Sequence, residues 1–274
     1  MNSSQGCLLS ASNLSVNRRH RKVLQEASLD IRAGEVVSLL GANGAGKSTF
    51  LSVLAAELKL DAAQYARDAV VLNGDKLSDL SAAQQARSRA VLPQKPGLAF
   101  DLQVSEVVAM GAYPFAALSV GEVDALVMQS LEMADVLHLS QRRYLELSGG
   151  EQQRAQFARV ILQILAERQA DPHGRYMLLD EPTASLDPLH QQGLLKTVQE
   201  LARTERIGVL VILHDINLAA CWSDRIALLS QGLIIACDTP GRVLTHENLK
   251  QVYGVDVHVM PHPRQPSKPL VVFG

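Results

Sequence analysis

Gly41-Ala42-Asn43-Gly44-Ala45-Gly46-Lys47-Ser48 follows the apolar run Glu35–Leu40 and leads straight into Thr49-Phe50-Leu51. This stretch decides the fold. It fits the pattern G-x-x-x-x-G-K-[ST] in the setting of strand, loop and helix that gives the pattern structural meaning. Glycines let the backbone curl so that successive N–H groups point inward at phosphate oxygens. The following helix adds the positive end of its dipole. Gly41, Asn43, Gly44, Ala45, Gly46, Lys47, Ser48 and Thr49 are therefore the expected phosphate cradle. Lys47 is placed to reach the β- and γ-phosphates of a nucleotide, and the Ser48 hydroxyl to bind Mg²⁺.

A second element supports the first. The apolar run Tyr176-Met177-Leu178-Leu179 ends in Asp180-Glu181. Such a strand delivers carboxylates at its C-terminal end, where ligands sit in open parallel sheets. Asp180 suits the Mg²⁺ shell, directly or through water, and Glu181 faces the γ-phosphate. By itself the pair is a weak signal, because a solvated strand end is the usual reason for two acids after an apolar run. Together with the phosphate loop it becomes strong.

Apolar runs alternate with turn signals in a pattern that reads as α/β. Expected strands are Val23–Ile31, Glu35–Leu40, Ala69–Leu72, Ala90–Leu92, Tyr176–Leu179, Val209–Leu213, Arg225–Leu229 and Leu233–Ala236, with Asn73-Gly74 as a turn between short strands. Between Gln94 and Tyr176 the apolar spacing becomes helical, over Val104–Tyr113, Ser119–His138 and Gly150–Arg168. In the last of these Ala155, Ala158, Ile161, Leu162 and Leu165 share a face. A helical subdomain (95–175) is thus inserted into a nucleotide-binding core (1–94 and 176–254), followed by a C-terminal tail (255–274). Asp171-Pro172-His173-Gly174 marks a surface loop, and Pro261 to Pro269 reads as an extended tail.

Composition narrows the function. With 47% hydrophobic and 20% charged residues and a formal net charge of −2, the 274-residue chain lacks the cationic excess of a duplex-binding protein. No apolar run approaches the roughly 18–20 residues that span a bilayer. Met1 to Ser10 lacks the basic start and apolar stretch of a signal peptide. Cys7, Cys221 and Cys237 stand far apart and read as reduced thiols of a cytosolic protein. A soluble chain is expected, with any membrane link made through a partner.

Leu147-Ser148-Gly149-Gly150-Glu151-Gln152-Gln153-Arg154 closely resembles the signature sequence of ABC ATPases, and it lies between the phosphate loop and the Asp-Glu strand, in that family's order. Physically it is another anion cradle, a hydroxyl and glycine amides at the head of a helix. Read in isolation it is a helix cap. Gln94 stands where the family's Q-loop glutamine stands, Ser185-Leu186-Asp187 matches its D-loop, and His214 matches its switch histidine. The resemblance covers nearly the whole chain. It implies the ABC ATPase fold: a P-loop NTPase core of parallel sheet with an antiparallel β subdomain, and an inserted helical subdomain.

The resemblance also implies ATP and Mg²⁺ as cofactors, with two ATP molecules sandwiched between two copies of the chain. Each site takes the phosphate loop of one copy and Ser148, Gly149, Gly150 and Asp187 of the other. Glu181 orients the attacking water, His214 holds the γ-phosphate, and Gln94 senses Mg²⁺ while linking to a membrane permease. Mg²⁺ then has Ser48, Asp180 and Gln94 around it. Arg18 stands where the family's aromatic residue stacks on adenine. Its guanidinium plane can stack on a base, or the run from Arg18 to Lys22 is a solvated loop.

The stretch from Leu165 to Tyr176, the run Asp187-Pro188-Leu189-His190-Gln191 and the ending from His262 to Val272 resemble the ATPases of bacterial haem importers. These belong to the group that powers import of haem, cobalamin and ferric siderophores. The implied partners are a second copy, two permease subunits and, indirectly, a haem-binding protein, at the cytoplasmic face of the bacterial inner membrane. His258 and His262 read as solvated tail residues rather than haem ligands. A siderophore, cobalamin or exporter motor is the alternative within transporters. A non-transport ABC ATPase lacks its usual second cassette here, and a P-loop kinase or GTPase leaves the signature and His214 without a purpose.

Overall fold

The computed structural model of the chain describes residues 8–18, 21–58, 69–94, 97–98, 100–169 and 173–274. Met1 to Cys7, Asp171 and Pro172, named above, and Arg19 and His20 within the run from Arg18 to Lys22, lie outside the described residues. At the N-terminal end β1 (Leu8–Arg18) pairs antiparallel with β2 (Arg21–Arg32). Sequence reading missed β1. Its register shifts between Ala11 and Leu14, where Asn13 takes a left-handed φ of 53°, so the alternation of apolar residues is broken by a bulge.

After β3 (Val36–Leu40) comes α1 (Lys47–Leu54), then β4 (Val70–Leu72) and β5 (Asp75–Lys76). Asn73 and Gly74, with φ of 54° and 97°, make the tight turn expected between β4 and β5. These short strands complete a four-stranded antiparallel sheet in the order β2-β1-β4-β5. Next follow α2 (Ala82–Ser88) and β6 (Arg89–Leu92), and from there to residue 175 the described residues hold no named strand.

That intervening part is helical: α3 (Val104–Ala109), α4 (Val120–Met133) and α5 (Gly149–Leu165). The helix expected to run to His138 stops at Met133, and Leu137–Leu139 form a separate single turn of 3₁₀ helix. Gln103, Ser119 and Ser148 each begin a helix with a capping box, closed by Glu106, Glu122 and Glu151. Helix α5 carries α3 and α4 against it. Its buried surface is wider than the one face read from the sequence, because Phe157, Val160 and Ile164 are buried as well.

The rest of the chain runs β7 (Arg175–Asp180), α6 (Pro188–Thr204), β8 (Ile207–Ile212), α7 (Ile216–Trp222), β9 (Arg225–Ser230), β10 (Leu233–Asp238), α8 (Pro240–Val243) and α9 (His246–Tyr253). Six strands form the main sheet in the order β10-β9-β3-β8-β7-β6, parallel throughout except for β10. Its strands feed two cores. In β7, Met177 and Leu179 enter one core while Tyr176 and Leu178 enter the other, and in β8 Val209 and Val211 alternate in the same way with Leu210 and Ile212. Each such buried side chain contributes about 1.5–3 kcal/mol of apolar transfer energy.

The C-terminal end corrects the sequence reading. Residues 255–274 are not an extended tail: β11 (Val257–His262) and β12 (Gln265–Phe273) form an antiparallel hairpin against α7. Four prolines suggested a tail, but a two-stranded sheet has open edges where proline leaves no ladder bond unmade. His262 closes the turn, its Nδ1 accepting the backbone N–H groups of Arg264 and Gln265 at 3.2 Å.

Candidate functional site

Strand order brings the chemistry together. β3, β8, β7 and β6 are neighbours and parallel, so the segments leaving their C-terminal ends emerge along one edge of the sheet. Those segments are the phosphate loop after β3, His214 after β8, Asp180-Glu181 at the end of β7, and Gln94 after β6. Residues far apart in sequence thus become neighbours through topology alone.

In the loop, Gly46 has φ of 111° and a Cβ there would lie 2.8 Å from the carbonyl oxygen of Val23. Only glycine fits. Gly46 is also the N-cap of α1, and no side chain caps that helix, so the N–H groups of its first turn are left to an anion. Asn43 and Gly44 form an exposed rim, while Ala45 and Thr49 are buried. Lys47 is buried too, and its Nζ donates to the carbonyls of Gly41 at 2.8 Å and Ala42 at 3.2 Å. Burial pushes the Lys47 ammonium down from the ordinary lysine range, opposed by Glu181 and Asp180. A phosphate oxygen is a stronger acceptor for it than two neutral carbonyls.

A cleft of about 270 Å³ opens over this loop, lined by Arg18, Val23, Asn43, Gly44, Gly46, Lys47, Ser48, Thr49 and Glu181. Arg18 thus borders the cleft beside the phosphate loop. Val23 had not been singled out, since a valine at the start of a strand gives no sign of lining a cleft.

The acids divide their work. Ser48 Oγ donates to Asp180 Oδ1 at 3.3 Å, which sets a hydroxyl and a carboxylate side by side, a donor pair suited to Mg²⁺. Burial pushes the Asp180 carboxyl up, with Glu181 adding to the rise and Ser48 and Lys47 opposing it. Among the described residues no cluster of three or more His, Cys, Asp or Glu could hold a metal ion. A Mg²⁺ here would take its other ligands from phosphate and water, as that ion usually does. Glu181 sits at a left-handed φ of 51°. Its Oε2 accepts Gln94 Nε2 at 2.7 Å and its Oε1 lies 2.6 Å from His214 Nε2. Gln94, named above as a metal ligand, is seen only on Glu181.

Ser148, Gly149, Gly150 and Asp187 do not line this cleft. They sit together elsewhere: a Cβ on Gly150 would lie 2.9 Å from the Ser185 carbonyl oxygen, so the signature and the D-loop pack against each other. Asp187 caps α6 through the His190 N–H at 3.0 Å, and its other oxygen lies 2.7 Å from His190 Nδ1. These contacts hold its carboxyl below the usual range. Ser148 Oγ donates to Glu151 Oε2 at 2.7 Å. The cap reading set aside for the sequence is thus present in the fold, alongside the glycine amides that make the cradle.

A family model described as "ABC transporter" matches residues 24–184. The chain is 52% identical to "Hemin import ATP-binding protein HmuV" of Bordetella avium (strain 197N), over 97% of this chain and 99% of that one. It is 46% identical to the protein of the same name from Pseudomonas fluorescens (strain Pf0-1), with the same coverage. Among solved structures, a dimeric bacterial ABC transporter cassette, MJ0796, superposes with a TM-score of 0.72 at 25% identity, covering 84% of this chain and 98% of that one.

Proposed function

The chain belongs to the ABC transporter family, and from that membership we propose that it is the ATP-hydrolysing subunit of an importer whose cargo is haem. One observation carries the motor reading. Glu181 stands over the phosphate loop with one carboxylate oxygen on Gln94 and the other on His214. Phosphoryl transfer asks a protein mainly to position groups and neutralise charge. Backbone amides of the loop and Lys47 hold the phosphates, and Ser48 and Asp180 would hold Mg²⁺, which would neutralise phosphate charge when bound. Glu181 orients the attacking water, and His214 keeps both Glu181 and the γ-phosphate in place. Gln94 links this carboxylate to the helical part of the chain.

Ser148, Gly149, Gly150 and Asp187 serve the site of a second copy, which fits their placement away from the cleft of their own chain. Residues 1–94 and 176–254 carry the nucleotide chemistry, and 95–175 carry the signature and the contact with two permease subunits. That contact is the proposed means of attachment at the cytoplasmic face of a bacterial inner membrane; no helix among the described residues is long and apolar enough to cross a membrane. The docking surface is placed around Gln94 and the stretch from Pro96 to Pro114, where Phe100 and Tyr113 are 71% and 78% exposed, large apolar surfaces suited to a permease helix. Haem rests on the hemin-import relatives, which match the chain over nearly its whole length. A haem-binding protein would deliver the cargo to the permease.

Reconstitution with its cognate permease tests the cargo. ATP-dependent uptake of haem is expected when haem, cobalamin and a ferric siderophore are each offered through their binding proteins. Uptake of either of the others without haem refutes the cargo and leaves the motor intact. Arg18 yields a second expectation. A guanidinium over a purine discriminates little between bases, so GTP hydrolysis should come within about threefold of ATP hydrolysis. Arg18→Ala should raise KM for both by about threefold to tenfold. Strong ATP preference with no effect of the substitution would show that the base is held elsewhere.

A further inference from the structure

The C-terminal hairpin is tied at two places to segments that lead to the nucleotide site. Strand β12 belongs to a two-stranded sheet, so its outer edge has no strand partner. On that edge the side chain of Asn217 takes the place of a strand: its Nδ2 donates to the Val271 carbonyl at 3.0 Å, and its Oδ1 accepts the Val271 N–H at 2.8 Å. Val271 is 3% exposed, so both bonds are shielded from water. Asn217 lies in the first turn of α7, capped by Asp215, immediately after His214. A seven-residue helix has little stability of its own. The turn that carries His214 therefore depends on what α7 is tied to.

A second tie runs from Lys268 of β12, whose Nζ donates to the Ser223 carbonyl at 3.1 Å, and the Ser223 hydroxyl meets Ser38 of β3 at 2.5 Å.

We infer that the β11–β12 hairpin braces the nucleotide site, with Asn217 as a positioning residue for His214. The inference rests on the ATPase reading above. It predicts a split that a merely structural hairpin would not produce. Asn217 acts through His214, which serves the γ-phosphate and Glu181, so its loss lowers kcat and leaves KM in place.

The test is steady-state ATP hydrolysis by the full-length chain carrying Asn217→Ala, with folded protein quantified by near-UV circular dichroism. Loss of the two hydrogen bonds corresponds to about threefold to tenfold. Asn217→Ala is expected to lower kcat by that factor with KM within about twofold. Should Asn217→Ala fail to fold, Asn217→Asp keeps the size and one acceptor but sets a charged oxygen against the Val271 carbonyl, and its kcat should fall in the same sense. The brace is overturned if the folded variant keeps wild-type kcat whatever its thermal stability, or if kcat and KM shift together. A wild-type chain that hydrolyses no ATP would overturn the ATPase reading instead.

Discussion

Glu181→Gln binds ATP with Mg²⁺ at close to wild-type affinity, turns it over about 100- to 1,000-fold more slowly, and accumulates as a closed dimer: that is the expected result. The affinity follows from a division of labour, because Lys47, Ser48 and the loop amides bind the phosphates while Glu181 is held by Gln94 and His214. The rate follows from charge. An amide of the same size cannot orient and polarise water as a carboxylate does, and removing one positioned polar group or general base costs about 10²–10⁴ in rate. The closed state accumulates because nucleotide joins two copies and hydrolysis releases them. Steady-state assays and size-exclusion runs with and without ATP-Mg measure both effects. Hydrolysis near the wild-type rate would remove Glu181 from its assigned role.

Gly41→Ala should damage stability and nucleotide binding together. A Cβ at that position would lie 2.2 Å from the backbone carbonyl oxygen of Leu229 in β9 and 3.4 Å from Ala45 Cβ. Backbone cannot rotate aside as a side chain can, so the loop must lift off the sheet. Overpacking of this kind costs about 1–3 kcal/mol, which for a chain of this size lowers Tm by roughly 2–10 °C. The displaced loop would also lose aim at the phosphates, raising the ATP concentration needed for half-saturation by at least about tenfold. Gly44→Ala is the control. Its φ of 77° is strained for alanine, but no atom lies within 4 Å of the added carbon. Equal Tm and ATP affinity in the Gly41→Ala chain and the wild type would show that the loop does not depend on this close approach.

What could be read from the sequence was local. The phosphate loop, the Asp180-Glu181 strand end and the Asn73-Gly74 turn are each written in a few consecutive residues whose conformations follow from residue type. Their meeting was legible only through resemblance, because it depends on the order β3-β8-β7-β6, and strand order is not a local property. Three things stayed hidden for identifiable reasons. The bulge at Asn13 erased the alternation of β1. Prolines concealed the C-terminal hairpin, since Pro261 and Pro269 face each other across a ladder that was taken for a tail. The tie between Asn217 and Val271 left no trace at all, because nothing near either residue refers to the other.

The signature residues stand apart from the phosphate cleft of their own chain, and on the sandwich proposed above this has a genetic consequence. A twofold interface is self-complementary, so any one substitution is present at both sites of a homodimer. Mixed dimers break that identity. Put a Lys47 lesion on one copy and a Ser148 lesion on the other, and both defects fall in the same site, leaving its twin intact. Put both lesions on one copy beside an unaltered partner, and each site receives one defect, so neither is whole. Two mutant alleles that are each inactive alone would therefore restore half of the machinery when co-expressed, whereas the doubly mutant allele would poison a normal one.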